Sequence, residues 1–285
     1  MPAHHQAMRA AYYCLKAAKA IARPLGLRPA ASLRVLTYHD VAPHQQPLFA
    51  AQLRWLARSW KFISPQQFAT LISGSEPVIG RNLLLTFDDS FASQRHVAEQ
   101  VLKPMGISAL FFAVSDFVAL QDPAEARQFI AKNIYPMLSL DAVPAHWSNM
   151  TWSDLEALLE QGHMIGGHTQ THARLSQVDS DAGLEREIID AADTLTRRLG
   201  VSIDHFAYTF GDLASFSQRA LAVARRRFRF IYSGLRGDNV GALTPWAIRR
   251  EAIDADNSLG LVGAFVEGVA DLRYARARAE FARWQ

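Results

Sequence analysis

Short apolar runs alternate with amphipathic stretches along the chain from residue 33 onward. Apolar runs of this length are typical of buried strands, and the amphipathic stretches have the periodicity of helices. The predicted strands are residues 33–38, 82–87, 108–114, 163–166, 204–208, 228–233 and 246–248 with 253. The predicted helices are residues 50–59, 65–73, 91–103, 152–161, 181–199, 216–227 and 258–281. This alternation predicts an α/β fold, a parallel sheet or barrel with helices outside, in which chemistry gathers at the carboxyl ends of the strands.

The N-terminal segment lies outside this pattern. Residues 6–25 predict a helix that runs to Arg23 and is ended by Pro24. Its basic side is formed by Arg9, Lys16, Lys19 and Arg23, and its apolar side by Met8, Ala11, Cys14, Leu15, Ala18, Ile21 and Ala22. Such a helix either lies on an anionic membrane surface or packs its apolar side on the domain, and the sequence leaves both readings open.

A second segment, residues 115–150, also interrupts the alternation. It contains three prolines and predicts an irregular insertion that shapes one rim of a site. The rest of the chain shows no internal repeat and no linker. We therefore expect a basic amphipathic segment at residues 1–32 and a single domain at residues 33–285.

Composition narrows the function classes. Of the 285 residues, 49% are hydrophobic and 20% are charged, which suits a globular protein with a sizeable core. A net charge of +3, without interleaved basic and aromatic residues, gives no indication of a nucleic-acid partner. The single cysteine, Cys14, excludes an intrachain disulfide.

The sequence also bears on location. No apolar run approaches the roughly 18 residues that cross a bilayer, and the N-terminus lacks the apolar centre of about 7–15 residues of a secretory signal. We expect a cytoplasmic protein, with peripheral contact to the inner membrane through residues 6–25 as an alternative.

Two adjacent carboxylates follow the strand "NLLLTF". Asp88 and Asp89 repel each other and resist burial, and a helix N-cap would account for only one of them. A bound divalent cation would account for both, because its charge offsets the repulsion.

Histidines offer the remaining ligands. His168 and His172, in "GGHTQTHARL", are four residues apart and follow a short strand, a spacing that places both imidazoles on one side of a helical turn. His39 ends another predicted strand in "LTYHDV". Together with the two aspartates, His168 and His172 predict a metal site, whereas His39 taken alone is more often a core or capping residue.

The motifs "TFDD" and "HTQTH" resemble those of the polysaccharide deacetylases of the NodB-homology type, carbohydrate esterase family 4. The stretches "LTYHDV" and "MTWSDLEALLEQGHMIGGHTQTHARL" resemble the branch of that family with a Tyr-His motif on its first strand, and the resemblance spans roughly residues 33–255. It implies a distorted, incomplete (β/α) barrel. It also implies that Asp88 is the general base and that Asp89, His168 and His172 hold a divalent metal.

The resemblance is incomplete at the loop that supplies the oxyanion donor. The matching stretch is "AYTFGD", which keeps an aromatic residue before glycine but lacks the family's arginine and proline. By resemblance, the backbone N–H of Phe210 is the oxyanion donor. Arg249 or Arg250 could replace the missing arginine, and a purely structural role for these residues is equally open. No histidine follows His205, so the branch implies His39 as general acid. Tyr208 and Phe210 are the candidates for stacking on a sugar, and Tyr208 and Arg249 are the candidate substrate-binding residues.

These expectations describe a hydrolase that removes N-acetyl groups from amino sugars of a polysaccharide or saccharide precursor. Zinc is the expected ion, and nickel, cobalt or iron fits the same ligands. The alternatives within the enzyme class are an O-acetyl esterase and a deacylase of a lipid-linked sugar. Outside that class, the missing arginine motif leaves a saccharide-binding module without turnover.

Overall fold

A curved parallel sheet forms the centre of the structure, a computed structural model that describes residues 3–22, 30–240 and 244–284. Within these residues eight strands form one sheet, with all pairs parallel, in the order β7-β6-β5-β4-β3-β1-β8 and with β2 beside β3. The strands are β1 (Ser32–Tyr38), β2 (Lys61–Phe62), β3 (Arg81–Phe87), β4 (Leu110–Ala113), β5 (Met164–Gly167), β6 (His205–Ala207), β7 (Phe230–Tyr232) and β8 (Glu251–Ala252).

Helices connect the strands on the outside of the sheet. They are α1 (Ala3–Ala22), α2 (Gln46–Leu56), α3 (Pro65–Ile72), α4 (Ala92–Val97), α5 (Lys103–Met105), α6 (Ser115–Ala119), α7 (Pro123–Phe129), α8 (Trp152–Glu160), α9 (Asp181–Glu185), α10 (Ala191–Leu199), α11 (Gln218–Arg225), α12 (Leu259–Val266) and α13 (Ala275–Ala282). Single π-helical turns continue three of these helices, at Ala98–Leu102, Ile130–Ile134 and Arg186–Asp190. The predicted helix at residues 258–281 is therefore wrong as a continuous element, because it divides into α12 and α13.

One segment joins the two edges of the sheet. The backbone N–H of Ile248 donates to the carbonyl oxygen of Ile231 in β7 (2.9 Å). A few residues later, β8 pairs with β1 at the other edge. The strand predicted at 246–248 is wrong as a strand, since only an isolated bridge forms there and the strand follows at Glu251–Ala252. The architecture is the distorted, incomplete (β/α) barrel expected from the resemblance.

Both faces of β3 are buried, which explains its unbroken apolar sequence. Leu83 and Leu85 pack in the larger core cluster, which includes residues of the surrounding helices. Leu84 packs with Leu33 and Val35 of β1 in a second cluster, which side chains of α3 complete. The strand that ends at the two aspartates is consequently held rigidly from both sides.

The N-terminal helix packs on the domain through Tyr12. This side chain is 6% exposed and contacts the ring of Trp55. A Cβ atom added to Gly263 of α12 would lie 2.5 Å from the Tyr12 ring, so the two helices approach closely where α12 lacks a side chain. The helix therefore packs on the domain through Tyr12 and Met8, whereas Ala11 and Cys14 of the predicted apolar side are exposed. Arg23 and Pro24 lie outside the described residues. Among the described helices, none is long and apolar enough to cross a membrane.

The insertion at residues 115–150 is more regular than expected. It contains α6, α7 and the π-helical turn Ile130–Ile134. Its apolar side chains form a small core of their own around Phe117 and Ile130. The prediction of an irregular segment was wrong because its prolines are placed outside helix interiors, as Pro123 is at the first turn of α7.

Candidate metal centre and active site

Backbone strain is concentrated in three loops at the carboxyl ends of neighbouring strands. Within the described chain, five residues other than glycine have positive φ angles: Asp89, Ser90, Thr169, His172 and Phe210. They follow β3, β5 and β6. Non-glycine residues in this region cost free energy and are characteristic of functional sites. The strain therefore marks this end of the barrel as the place to look for chemistry.

Asp89, His168 and His172 meet in these loops. Asp89 Oδ1 lies 3.2 Å from Nε2 of His168 and 3.2 Å from Nε2 of His172. All three side chains are buried. Among the described residues, these three could hold a metal ion, since their ligand atoms lie within 4.8 Å of one another. They are called the metal group below.

Hydrogen bonds on the far side of each imidazole test whether a cation fits. His168 Nδ1 lies 2.6 Å from the carbonyl oxygen of Ala207, and His172 Nδ1 lies 2.9 Å from that of Asn133. A carbonyl oxygen only accepts, so both Nδ1 atoms carry protons. In the neutral tautomer each Nε2 then directs a lone pair toward the same carboxylate oxygen, an arrangement that a divalent cation stabilises. The residues present thus fit a bound metal.

The loop that carries His172 is held from two directions. Asn133, in the insertion, donates from Nδ2 to the carbonyl oxygen of Thr171 (2.7 Å). On the other side, Glu187 accepts hydrogen bonds from the backbone N–H groups of Gln170 and Thr171 and from the Thr171 hydroxyl. Sequence reasoning missed both anchoring residues, because a polar residue in a helical segment reads as solvent-exposed.

Asp88 forms an ion pair with Arg250. Arg250 Nη1 donates to Asp88 Oδ1 (2.7 Å), and Arg250 Nε donates to the carbonyl oxygen of Ser233 (2.9 Å). Both charged residues are nearly inaccessible, at 3% and 2% exposure. Burial opposes ionisation of Asp88, but the charge and hydrogen bond of Arg250 hold the pKa of its carboxyl below the usual range. Asp88 is therefore an ionised carboxylate in a water-poor site.

His39 lies at the end of β1, beside the two aspartates. It is half-buried, and a positive charge on its imidazole would lower the pKa of both Asp88 and Asp89. Its backbone carbonyl accepts a hydrogen bond from Nε2 of Gln94 (3.1 Å). The ring is thus within electrostatic reach of the metal group and of the candidate base.

Phe210 lies against the metal group. Its ring meets that of His172 edge-on, with centroids 4.8 Å apart, and the Arg174 guanidinium lies 4.2 Å from its centroid. The backbone N–H of Phe210 has no acceptor among the described residues, as an oxyanion donor requires. With 37% exposure, its ring also presents an apolar surface at the mouth of the site.

Two of the sequence-predicted contacts are not placed at the site. Tyr208 is fully buried, and its ring stacks on Phe216 with centroids 4.2 Å apart, so it offers no surface to a sugar. Arg249 donates from Nη1 to the carbonyl oxygen of Asp238 (2.7 Å) rather than toward Asp88. Of the two arginines that the sequence left open, Arg250 takes the place beside the aspartate.

The insertion supplies an aromatic rim. The rings of Tyr135 and Trp147 stack with centroids 4.8 Å apart, and Trp147 Nε1 donates to Asp40 Oδ2 (2.9 Å). Burial, followed by the charge of Asp89, raises the pKa of Tyr135, so its hydroxyl stays protonated near the metal group. Sequence reasoning did not find Tyr135, because it is far from the motifs along the chain and comes close to Asp89 only in the folded structure.

Comparisons with known proteins give independent information on family and fold. The family model described as polysaccharide deacetylase matches residues 75–227, just over half of the chain. This match includes the metal group, Asp88 and Phe210 but excludes His39 and Arg250. A UPF0246 protein of Burkholderia mallei strain SAVP1 is 28% identical over 173 residues, which are 58% of this chain and 65% of that protein. The chain therefore spans just under two thirds of the curated relatives it matches.

Solved structures share the fold. IcaB from Ammonifex degensii is 22% identical with a TM-score of 0.63, and the match covers 84% of this chain and 98% of that chain. The deacetylase PplD of Streptococcus pyogenes, solved in complex with acetate, is 20% identical with a TM-score of 0.64, covering 84% and 99% of the two chains. At these identities the similarity establishes the barrel architecture.

Proposed function

We propose, since this chain belongs to the polysaccharide deacetylase family, that it is a metal-dependent hydrolase that removes N-acetyl groups from amino sugars of a polysaccharide or saccharide precursor. The observation that carries the proposal is the position of the Asp88–Arg250 pair beside Asp89, His168 and His172. An ionised carboxylate next to a group that fits a cation provides a base and an electrophile in one site.

Asp89, His168 and His172 would hold the metal, with the outer ring nitrogens of both histidines fixed by carbonyl groups. A divalent ion bound there would acidify water and polarise the acetyl carbonyl. Zinc is the ion proposed for one carboxylate and two imidazoles, while nickel, cobalt or iron fits the same ligands.

The remaining roles fall to three groups of the chain. Asp88 takes a proton from the attacking water, because Arg250 keeps its carboxylate ionised. The N–H of Phe210 stabilises negative charge on the former carbonyl oxygen. His39 donates a proton to the leaving nitrogen as the carbon–nitrogen bond breaks, giving acetate and a free amine. The deacetylase PplD, which shares the fold and was solved with acetate, supports this choice of reaction.

The substrate class has one alternative with its own support. The basic residues of the N-terminal segment 6–25 favour contact with an anionic membrane and hence a lipid-linked sugar, at the membrane surface of a cytoplasmic protein. Replacing Lys16 and Lys19 by Ser, while Tyr12 is kept, should abolish sedimentation with phosphatidylglycerol vesicles. Unchanged sedimentation of this variant would remove the support for membrane contact.

Acetate release tests the proposal directly. The chain is reconstituted with zinc, nickel, cobalt or iron and incubated with a panel of N-acetylated oligosaccharides and O-acetylated sugars. Asp88→Asn should keep the metal and lose roughly 10²–10⁴-fold in turnover, as expected for removal of a general base. Asp89→Asn and His168→Ala should lose the metal itself.

Three results would contradict the proposal in different ways. Release from O-acetyl sugars alone would identify an esterase. Saccharide binding without release under any metal would identify a binding module of the same fold. Retention of both metal and activity by all three variants would refute the assigned residue roles.

A further inference from the structure

Gln94, in the first turn of α4, links the chain segments that carry His39 and Asp88. Its Nε2 donates to the carbonyl oxygen of His39 (3.1 Å) and to that of Asp88. The side chain is completely buried. A single amide group therefore contacts the backbone of both residues to which proton transfer is assigned.

The orientation of this amide follows from its partners. Both contacts are carbonyl oxygens, which only accept, so the NH₂ end of Gln94 must face them. The other end, Oε1, is buried without a hydrogen-bond partner among the described residues. Leaving an acceptor buried and unpaired costs about 1–3 kcal/mol, a cost that calls for an explanation at this position.

The location of Gln94 suggests what offsets that cost. The backbone hydrogen bonds between β1 and β3 end with the one that the Asp88 N–H donates to the Tyr38 carbonyl oxygen (3.0 Å). Positive φ angles at Asp89 and Ser90 then turn the chain away from β1. Beyond the end of the ladder, Gln94 supplies the next crosslink between the two segments.

The preceding residue reinforces the same contact. Ser93 Oγ donates to Asp40 Oδ1 (2.6 Å) and accepts from the N–H of Val41 (3.2 Å). The first turn of α4 thus holds residues 39–41 by side-chain hydrogen bonds from two consecutive positions.

We propose that Gln94 is a positioning residue that fixes His39 and Asp88 relative to each other, so that the acid and the base face the same scissile bond. The proposal rests on the proposed function for its consequence in turnover. Its structural part, the crosslink between the two loops, is independent of any activity.

Gln94→Met tests the crosslink, because methionine has similar length and no donor. We expect kcat on an N-acetylated oligosaccharide to fall about 10–100-fold, the loss typical of a displaced catalytic group. KM and zinc affinity, measured by competition with a chelating dye, should not change. In the His39→Ala background the same substitution should cost clearly less than in the wild type, because the two changes then act on one group.

Gln52 provides a matched control. It is also a buried glutamine, and its Nε2 donates to three carbonyl oxygens, those of Asp254, Ala255 and Asn257. Its Oε1 accepts from the Tyr38 hydroxyl (2.9 Å), so Gln52 bonds to neither His39 nor Asp88. Gln52→Met should lower the melting temperature while leaving kcat within about twofold, since it removes comparable bonds from another loop.

A structural readout separates this proposal from the proposed function. In crystal structures, the Cα distance between His39 and Asp88 should increase in Gln94→Met and not in Gln52→Met. If the wild-type chain releases no acetate from any substrate, the proposed function fails, and this distance still decides the positioning role. Should Gln94→Met not fold, Gln94→Glu keeps the shape, and its neutral acid can hold only one carbonyl. Wild-type kcat and an unchanged distance in whichever variant folds would overturn the proposal.

Discussion

The pair formed by Asp88 and Arg250 determines when the candidate base is ionised. Asp88 can accept a proton only as a carboxylate, and burial alone would raise its pKa. Arg250 reverses this effect from 2.7 Å away. Arg250 is the largest of the groups that lower this pKa, so the acid limb of the pH profile should move when the ion pair is broken.

Replacing Arg250 by Met should raise the pKa of Asp88 and move the acid limb of kcat/KM to higher pH. Arg250→Lys, which keeps the charge but loses the fixed geometry of the guanidinium, should give a smaller displacement in the same direction. Breaking a buried pair costs roughly 3–5 kcal/mol, so the Lys variant also guards against a loss of folding.

The neighbouring arginine supplies the control. Arg249 contacts the carbonyl oxygen of Asp238 and not Asp88, so Arg249→Met should leave the acid limb in place. Equal displacement in both arginine variants would show that the limb reports general charge rather than the ion pair.

How much turnover depends on His39 as a proton donor should vary with the leaving group. An amine leaves an amide only with a proton, whereas an activated phenol leaves an ester without one. His39→Ala should therefore lower turnover of an N-acetylated oligosaccharide by roughly 10²–10⁴-fold and that of an aryl acetate far less. Equal losses on the two substrates would exclude proton donation by this residue.

At the level of elements, the insertion is part of the candidate metal site. The π-helical turn Ile130–Ile134 carries Asn133, whose carbonyl oxygen accepts from His172 Nδ1 and whose amide donates to the carbonyl oxygen of Thr171. Helices with such turns are frequent at functional sites. The insertion thus orients His172, one of the proposed metal ligands, in addition to shaping the rim of the site.

Asn133→Ala should weaken zinc binding by about 10-fold, at the low end of losses for groups that orient a ligand, because the carbonyl contact to His172 remains. Titration against a chelating dye measures the change without any turnover. Asn149→Ala is the control, since Asn149 bonds to the carbonyl groups of Phe117 and Leu120 inside the same insertion. A comparable loss of zinc affinity in both variants would indicate loosening of the insertion as a whole.

The strands and the metal group could be predicted from the sequence because both rest on local patterns. Apolar runs located β1 and β3, and the His168–His172 pair together with the two aspartates indicated the candidate ligands. The helical turn predicted from the spacing of the two histidines is wrong, because both lie in an irregular loop in which Thr169 and His172 have positive φ angles. Side-chain direction was less accessible. Arg249 and Arg250 are adjacent in an extended segment, where successive side chains point to opposite sides, so the pattern indicated an arginine without deciding which. The prediction that Tyr208 stacks on a sugar was wrong for the same reason, because its side chain points into the core.

Contacts between distant segments were beyond the reach of sequence patterns. Gln94, Asn133 and Tyr135 acquire their roles from the way the chain folds back on itself, and no spacing rule connects them to the motifs. Each lies in or next to a helical segment, where a polar residue ordinarily faces solvent.

Across the whole molecule, ionisable groups at one end of the barrel form the candidate active site, and those at the other end affect stability. Asp88, Asp89, His168 and His172 follow the carboxyl ends of the strands. His163, just before β5, and His205, the first residue of β6, lie toward the amino ends and are buried. Burial lowers the pKa of each of these two histidines to about 4. They belong to the stability of the barrel rather than to its chemistry.

The sign of their effect on stability follows from proton uptake. An unfolded histidine has a pKa of about 6.5, so between pH 6.5 and 4 the unfolded chain binds protons that the folded chain does not. The contribution of these two histidines to the free energy of unfolding should consequently be complete above pH 6.5 and decrease as the pH falls toward 4. Each group contributes a slope of up to about 1.4 kcal/mol per pH unit.

His163→Asn isolates one of the two contributions. His163 Nδ1 accepts from the N–H of Ala109 (3.0 Å), and the side-chain oxygen of asparagine can accept in its place without titrating. In urea unfolding at a series of pH values with a chelator present, the variant should show a shallower loss of stability between pH 6.5 and 4 than the wild type. His96→Asn, at an exposed position, should leave the slope unchanged. Because every other histidine is identical in the wild type and in His163→Asn, a difference in slope between these two proteins reports His163 alone. An unaltered slope would mean that His163 is protonated in the folded barrel.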